Sequence, residues 1–192
     1  MHKLRTTWEL DRYHAELLNS RIRTNKVAGA LSVIFWGHIS GKKAKLNPPY
    51  AMAKVKRAVT SSRFCSVRIA SYVSEAARLI RRKKYGEAVL RLTNVPQLGF
   101  AFASKVCAFI SGENCGVIDS VIVKKYSHFG FHTRSGFVTK SQWNAAAYDR
   151  YCRYLQKSAD SLNRAGVKLR WRDREGKTYL WRAVDVERAL YG

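Results

Sequence analysis

The side chain with the clearest chemical context in this sequence is Asp119. It follows a loop bearing Gly112 and Gly116 and the pair Val117-Ile118, and it precedes Val121, Ile122 and Lys125. That is where a helix N-cap belongs. A carboxylate at such a position stays ionised readily, because the local amides and the helix dipole favour the anion. Held where water is excluded, it stabilises positive charge developing on a reacting carbon. Plain capping explains the same residue, so both readings stay open. Twenty residues earlier, Gly99 closes a sharp break, Pro96-Gln97-Leu98-Gly99, between two helical stretches. A tight turn there exposes backbone amides, and glycine lets another backbone approach closely, so the turn can hold a phosphate. An ordinary turn in a helical bundle has the same appearance.

The charge indicates what kind of phosphate. The 192 residues hold 36 Lys plus Arg against 13 Asp plus Glu, a net charge of +23. The excess is spread along the whole chain, with +9 in residues 1–60, +7 in 61–125 and +7 in 126–192. A folded body this cationic repels itself, which excludes an inert neutral domain and points to a polyanionic partner, nucleic acid before an anionic membrane surface. Two basic runs, Lys42, Lys43 and Lys45 and then Arg81 to Lys84, are natural phosphate neutralisers, with Lys124 and Arg134 as further cations. Such contacts give affinity without sequence choice. A solvated charged face is the plain alternative.

Aromatic side chains offer flat faces to unstacked bases. Phe129, Phe131, His132 and Arg134 share the polar-flanked segment Ser127–Gly136, and Trp36 and His38 end an apolar stretch where they line a pocket or pack in the core. Glu9 and Glu16 are carboxylates able to act as a general acid, though no spacing selects either. Cys65, Cys107, Cys115 and Cys152 form neither a CxxC pair nor a metal-finger spacing with the five histidines. No metal and no cofactor is therefore expected, and the thiols are read as free in a reducing, cytoplasmic setting. Trp8, Glu9 and Asp11 interrupt any secretory leader, and the longest apolar run, Val27–Ile39, is too short to span a bilayer.

Helices must position these groups. A hydrophobic fraction of 46% argues against disorder, and three Pro with twelve Gly leave little material for a long linker, so residues 1–192 read as a single compact domain of two helical lobes. Apolar spacing predicts helices over Glu9–Leu18, Val27–Ile39, from near Pro49, Val67–Ile80 and Glu87–Thr93, and a small apolar one over Phe100–Ile110. A short helix follows Asp119, Ser127–Gly136 is a loop, and a long helix starts at Ser141 and stops at Gly166. A β-hairpin pairs Lys168–Trp171 with Thr178–Trp181 across Glu175-Gly176, and Asp185 caps a last helix.

The segment Leu92–Lys125, LTNVPQLGFAFASKVCAFISGENCGVIDSVIVKK, resembles the helix-hairpin-helix DNA glycosylase superfamily in its Pro-x-hydrophobic-Gly hairpin, the helix after it and the glycine-bearing loop ending in Val-Ile-Asp. The tail WRAVDVERALYG is similar to the last helix of small members. The resemblance implies a mostly α, helical DNA-glycosylase-like fold with a helix-hairpin-helix motif at residues 86–111. It implies that Asp119 is catalytic, stabilising an oxocarbenium-like deoxyribose beneath a flipped base and orienting water. It implies DNA contacts from the hairpin, Pro96, Gln97, Leu98, Gly99 and Ala101; charge adds the cations Lys42, Lys43, Lys45, Arg81, Arg82, Lys124 and Arg134, and the need for flat faces adds Trp36, His38 and Phe129 as candidates about the base. Members usually carry a second glycine where this chain has Gln97, and lyase members carry a lysine at the position of Ala101, whose amine attacks C1′. The four cysteines of iron–sulfur members are missing. The expectation is thus a monofunctional, water-using enzyme, monomeric and DNA-associated, that acts on a damaged or modified base. A lyase working through Lys105, further along the same helix at a different angle from Ala101, is one rival. A non-catalytic DNA- or RNA-binding protein is the other.

Overall fold

The computed structural model describes residues 7–39, 47–61, 65–134, 138–166, 170–172 and 176–191. Among these the chain is mostly α: α1 Thr7–Asn19, α2 Arg23–Ile39, α3 Pro48–Thr60, α4 Cys65–Arg81, α5 Tyr85–Leu92, α6 Phe100–Ile110, α7 Ser120–Lys125, α8 Ala145–Arg164 and α9 Ala183–Tyr191. A small antiparallel ribbon, β1 Trp171–Arg172 with β2 Thr178–Tyr179, aligns Trp171 with Tyr179 and Arg172 with Thr178. None of the described helices is long and apolar enough to cross a membrane.

α6 is central because its sequence, FAFASKVCAFI, is apolar on nearly every side. Phe100, Ala103, Val106, Cys107, Phe109 and Ile110 are all buried, and α1, α2, α4 and α5 pack around them. α4 and α8 are amphipathic instead. Ile69, Val73, Ala76, Ala77 and Ile80 face inward from α4, and Tyr148, Tyr151, Cys152, Leu155 and Ala159 from α8, each set at spacings of three and four. The buried side chains join into one continuous apolar cluster. All four cysteines lie within the protein, unbridged.

Three expectations about boundaries change. The long helix begins at Ala145 and not at Ser141, because Asn144 takes the cap, its side chain accepting from the Ala147 N–H at 3.0 Å. Trp143 therefore precedes the helix, where it stacks on Phe100 at 4.6 Å and donates its indole N–H to the Gly86 carbonyl. The second strand stops at Tyr179, short of the expected Trp181, and Lys168, Leu169 and Glu175 lie outside the described residues. Asp185 sits inside the first turn of α9, reaching back to accept from the Arg182 N–H at 3.1 Å.

That aspartate belongs to a buried ionic cluster. Arg182 bonds Asp185 at 2.7 Å and Asp11 at 2.6 Å, and Arg188 bonds Asp11 at 2.7 Å. Asp11 is on α1 and Arg188 on α9, so the cluster fixes how α9 lies against α1 and which residues it turns inward.

Candidate active site around Asp119

The chain from Ser111 to Asp119 makes no regular structure, yet every part of it is fastened. Val184 donates its N–H to the Gly112 carbonyl at 3.0 Å, Gln156 donates to the Asn114 carbonyl at 2.8 Å, and the Tyr148 hydroxyl donates to the Gly116 carbonyl at 2.6 Å. The buried Ser104 hydroxyl accepts from the Ile118 N–H at 3.0 Å. Gly116 is needed for a close approach, since a Cβ there would lie 2.3 Å from Leu155 Cδ1 and 3.3 Å from Glu187 Cβ. Asp119 comes next and caps α7 as its sequence context predicts, Oδ1 accepting from the Val121 and Ile122 N–H groups at 2.9 and 3.0 Å.

Asp119 lines two cavities. The first, of about 240 Å³, lies between α6 and α9, walled by Trp36 of α2, Lys105, Ala108 and Phe109 of α6, Val117, and Val184, Glu187 and Arg188 of α9. The second, of about 320 Å³, lies over the α5–α6 turn, walled by Gln97, Gly99 to Phe102, His38, Ile118, Ser120 and Val138. Trp36 and His38 thus enter different cavities. Phe129 enters neither: it packs among Tyr126, Phe131, Tyr151 and Tyr154 against α8. Glu9 and Glu16 also line neither cavity, and Glu16 pairs with Arg12 on the surface.

Within the turn, Leu98 is buried as a core anchor and Pro96 is half-buried. Gln97 has φ +70°, the left-handed region that glycine occupies without strain. Gly99 is the reverse case. Its φ is −68° and a Cβ would meet nothing within 4 Å, so nothing inside the described protein requires glycine there. Arg81, Arg82, Lys124 and Arg134 are exposed, whereas Lys42, Lys43 and Lys45 lie outside the described residues.

Lys105 is better placed than its sequence context indicated. It stands four residues beyond Ala101, which is one turn, so the two share a face and do not point at different angles. Its Nζ lies 5.2 Å from the Trp36 ring centre and 5.5 Å from that of Phe102. Burial pushes the Lys105 amine below its ordinary pKa, with Asp119 and Glu187 opposing the shift. Glu187 went unnoticed in the sequence. Burial raises its carboxyl to about 7 against the pull of Arg188, the Val117 N–H and Lys105, and Asp119 adds to the rise. The signal was present in WRAVDVERALYG, where Glu187 falls three residues after Val184, on the face that becomes buried. His38 is held below its usual pKa by burial and then by Lys54 and Lys105.

The arrangement brings an amine, a helix-capping carboxylate and a buried carboxyl to one small chamber with an aromatic wall. Among the described residues no group of three or more His, Cys, Asp or Glu side chains is arranged to hold a metal ion. Compared with known families, residues 7–191 match the model described as "Putative 8-oxoguanine DNA glycosylase OGG-like protein". Comparisons with curated proteins and with solved structures gave no match.

Proposed function

Because the chain belongs to the family of putative 8-oxoguanine DNA glycosylase OGG-like proteins, we propose that it removes an oxidised guanine from DNA, with Lys105 as the attacking amine and Asp119 as the stabilising carboxylate. The observation that carries this reading is that Lys105 and Asp119 line one cavity, whose aromatic wall of Trp36 and Phe109 suits a flat base turned out of the duplex. Burial supports the role of Lys105, since an amine with a lowered pKa is more often unprotonated and free to attack. As the bond from C1′ to the base breaks, positive charge gathers on the sugar, and a fixed carboxylate beside it lowers that barrier. Asp119 suits the task because the Val121 and Ile122 amides already orient it.

The cavity over the α5–α6 turn would receive the backbone of the extruded strand. Gly99 at its rim leaves room for a phosphate, and the cations Arg81, Arg82, Lys124 and Arg134 would neutralise neighbouring phosphates. One feature favours a second reading, a water-using and monofunctional enzyme: Ala101 stands where the superfamily resemblance puts the nucleophilic lysine.

Borohydride reduction during reaction with a duplex containing one 8-oxoguanine separates the two. A covalent protein–DNA complex that forms with the native chain and is lost in Lys105→Ala is the expected outcome. Base release without any trapped complex would move the chemistry to water. A chain that binds the duplex but leaves no alkali-labile site would be a binding protein only.

A further inference from the structure

Glu187 takes no part in the chemistry above, yet it faces the same cavity as Lys105 and Asp119 and is 4% exposed. Burying a carboxyl costs stability unless it is well paired. Here Arg188 is already shared with Asp11, leaving Glu187 the Val117 N–H and the cavity itself. The position is also built for closeness, since Gly116 is where any side chain would press on the Glu187 stem.

The proposed reaction has two proton problems. Lys105 must lose a proton before its amine can attack, and the base must gain one as it departs. Asp119 is already engaged as the cap of α7, its Oδ1 accepting from two amides. We propose that Glu187 is the proton carrier of this site: its carboxylate accepts a proton from the Lys105 ammonium, and the acid so formed gives that proton to the departing base. The proposal rests on Lys105 being the attacking amine. In the first step one proton passes from nitrogen to Glu187. In the second, the amine lone pair forms the bond to C1′ while the electron pair of the old bond leaves with the base, which takes the Glu187 proton. Glu187 ends ionised and Lys105 ends as a cationic secondary amine on C1′. Transfer of one proton from that nitrogen to O4′ opens the sugar to the imine that borohydride reduces.

A carboxyl raised to about 7 is suited to both halves of this duty at neutral pH. The groups facing it are Lys105 from α6, Asp119 from the segment before α7, Tyr151 from α8 and Arg188 from α9 itself. Lys105 and Arg188 favour its ionised form and Asp119 the neutral one, so its protonation follows that of its neighbours.

The test is single-turnover base release and borohydride trapping between pH 6 and 9.5, with the full chain, Glu187→Gln, Glu187→Asp and Lys105→Ala, on a duplex containing 8-oxoguanine. Glu187→Gln is expected to lose roughly 100-fold at pH 7 and to approach the native rate as pH rises and solvent deprotonates Lys105. On a duplex with a preformed abasic site, where no base has to be protonated, its deficit should shrink. A purely structural role would give a deficit that does not change with pH, and that result, or a native profile in Glu187→Gln, overturns the proposal. Should Glu187→Gln fail to fold, Glu187→Asp carries the test, with a displaced pH profile expected and a superimposable one overturning. Absence of a trapped complex in the native chain would instead refute Lys105 as nucleophile, and this inference with it.

Discussion

Ser104 and Ile118 share a buried hydrogen bond of 3.0 Å, which ties the residue before Asp119 to the residue before Lys105. The spacing between the two candidate reactive groups is therefore set by one hydroxyl that also donates to the Ala101 carbonyl at 2.9 Å. Ser104→Ala leaves the Ile118 N–H buried without an acceptor, a loss of about 1–3 kcal/mol. For a chain of this size the melting temperature should fall by about 2–4 °C per kcal/mol, readable by calorimetry. Base release should slow more than DNA affinity weakens, because Asp119 shifts while the basic surface does not.

Gly99 and Gln97 make opposite predictions. Gly99→Ala meets no clash but loses a residue favoured at the N-cap of α6, so its melting temperature should fall by no more than about 2–4 °C while binding to duplex DNA weakens, as measured by fluorescence anisotropy. Loss of stability with unchanged affinity would disprove the phosphate role. Gln97→Gly removes a left-handed strain of about 1–2 kcal/mol but adds chain entropy of about 0.5–1 kcal/mol. A neutral to slightly stabilising effect in urea unfolding is expected.

Asp11 holds two arginines with side-chain exposures of 11% and 33%. Asp11→Ala leaves Arg182 with Asp185 alone and loosens Arg188, costing about 3 kcal/mol, the lower end for breaking a buried pair because Arg188 reaches water. The midpoint of urea unfolding should fall, and base release should drop with it as α9 loses its hold on α1.

Glu187 also gives stability a pH slope. Its carboxyl lies at about 7 in the folded chain against 4.5 as a free side chain, so between those values the folded state binds the extra proton. Stability from this group is fully present below pH 4.5 and is lost as pH rises through 7, by about 3 kcal/mol in all. Urea unfolding at pH 5 and pH 8 should show that difference in the native chain and lack it in Glu187→Gln.

Affinity for DNA should fall steeply with salt. Replacing both Arg81 and Arg82 with Ala should lower the slope of log affinity against log salt by about 2 without changing preference among bases. An unchanged slope would show that this end of α4 points away from the duplex.

Much of the helical frame was legible in the sequence because apolar periodicity is a local signal. Phe100–Ile110 stood out with its ends in place, and Asp119 was recognisable as a cap from the residues after it. The start of α8 was misread because Trp143 is apolar for a tertiary reason, its stack on Phe100, and not because it lies on the helix. The chamber was harder still. Lys105 and Glu187 are 82 positions apart, and their meeting depends on the Asp11 ion pairs that orient α9, which no local pattern announces. The place of Phe129 was illegible for the same reason, since an aromatic in a polar loop packs on Tyr151 of α8.

The wall that α9 contributes has a consequence for synthesis. Every other described helix leaves the ribosome before α9 does, so until α9 docks, Lys105 and Asp119 lack the wall that Val184, Glu187 and Arg188 give their cavity. Under the proposed function, a nascent chain would adhere to nucleic acid through its early cations before it could release a base.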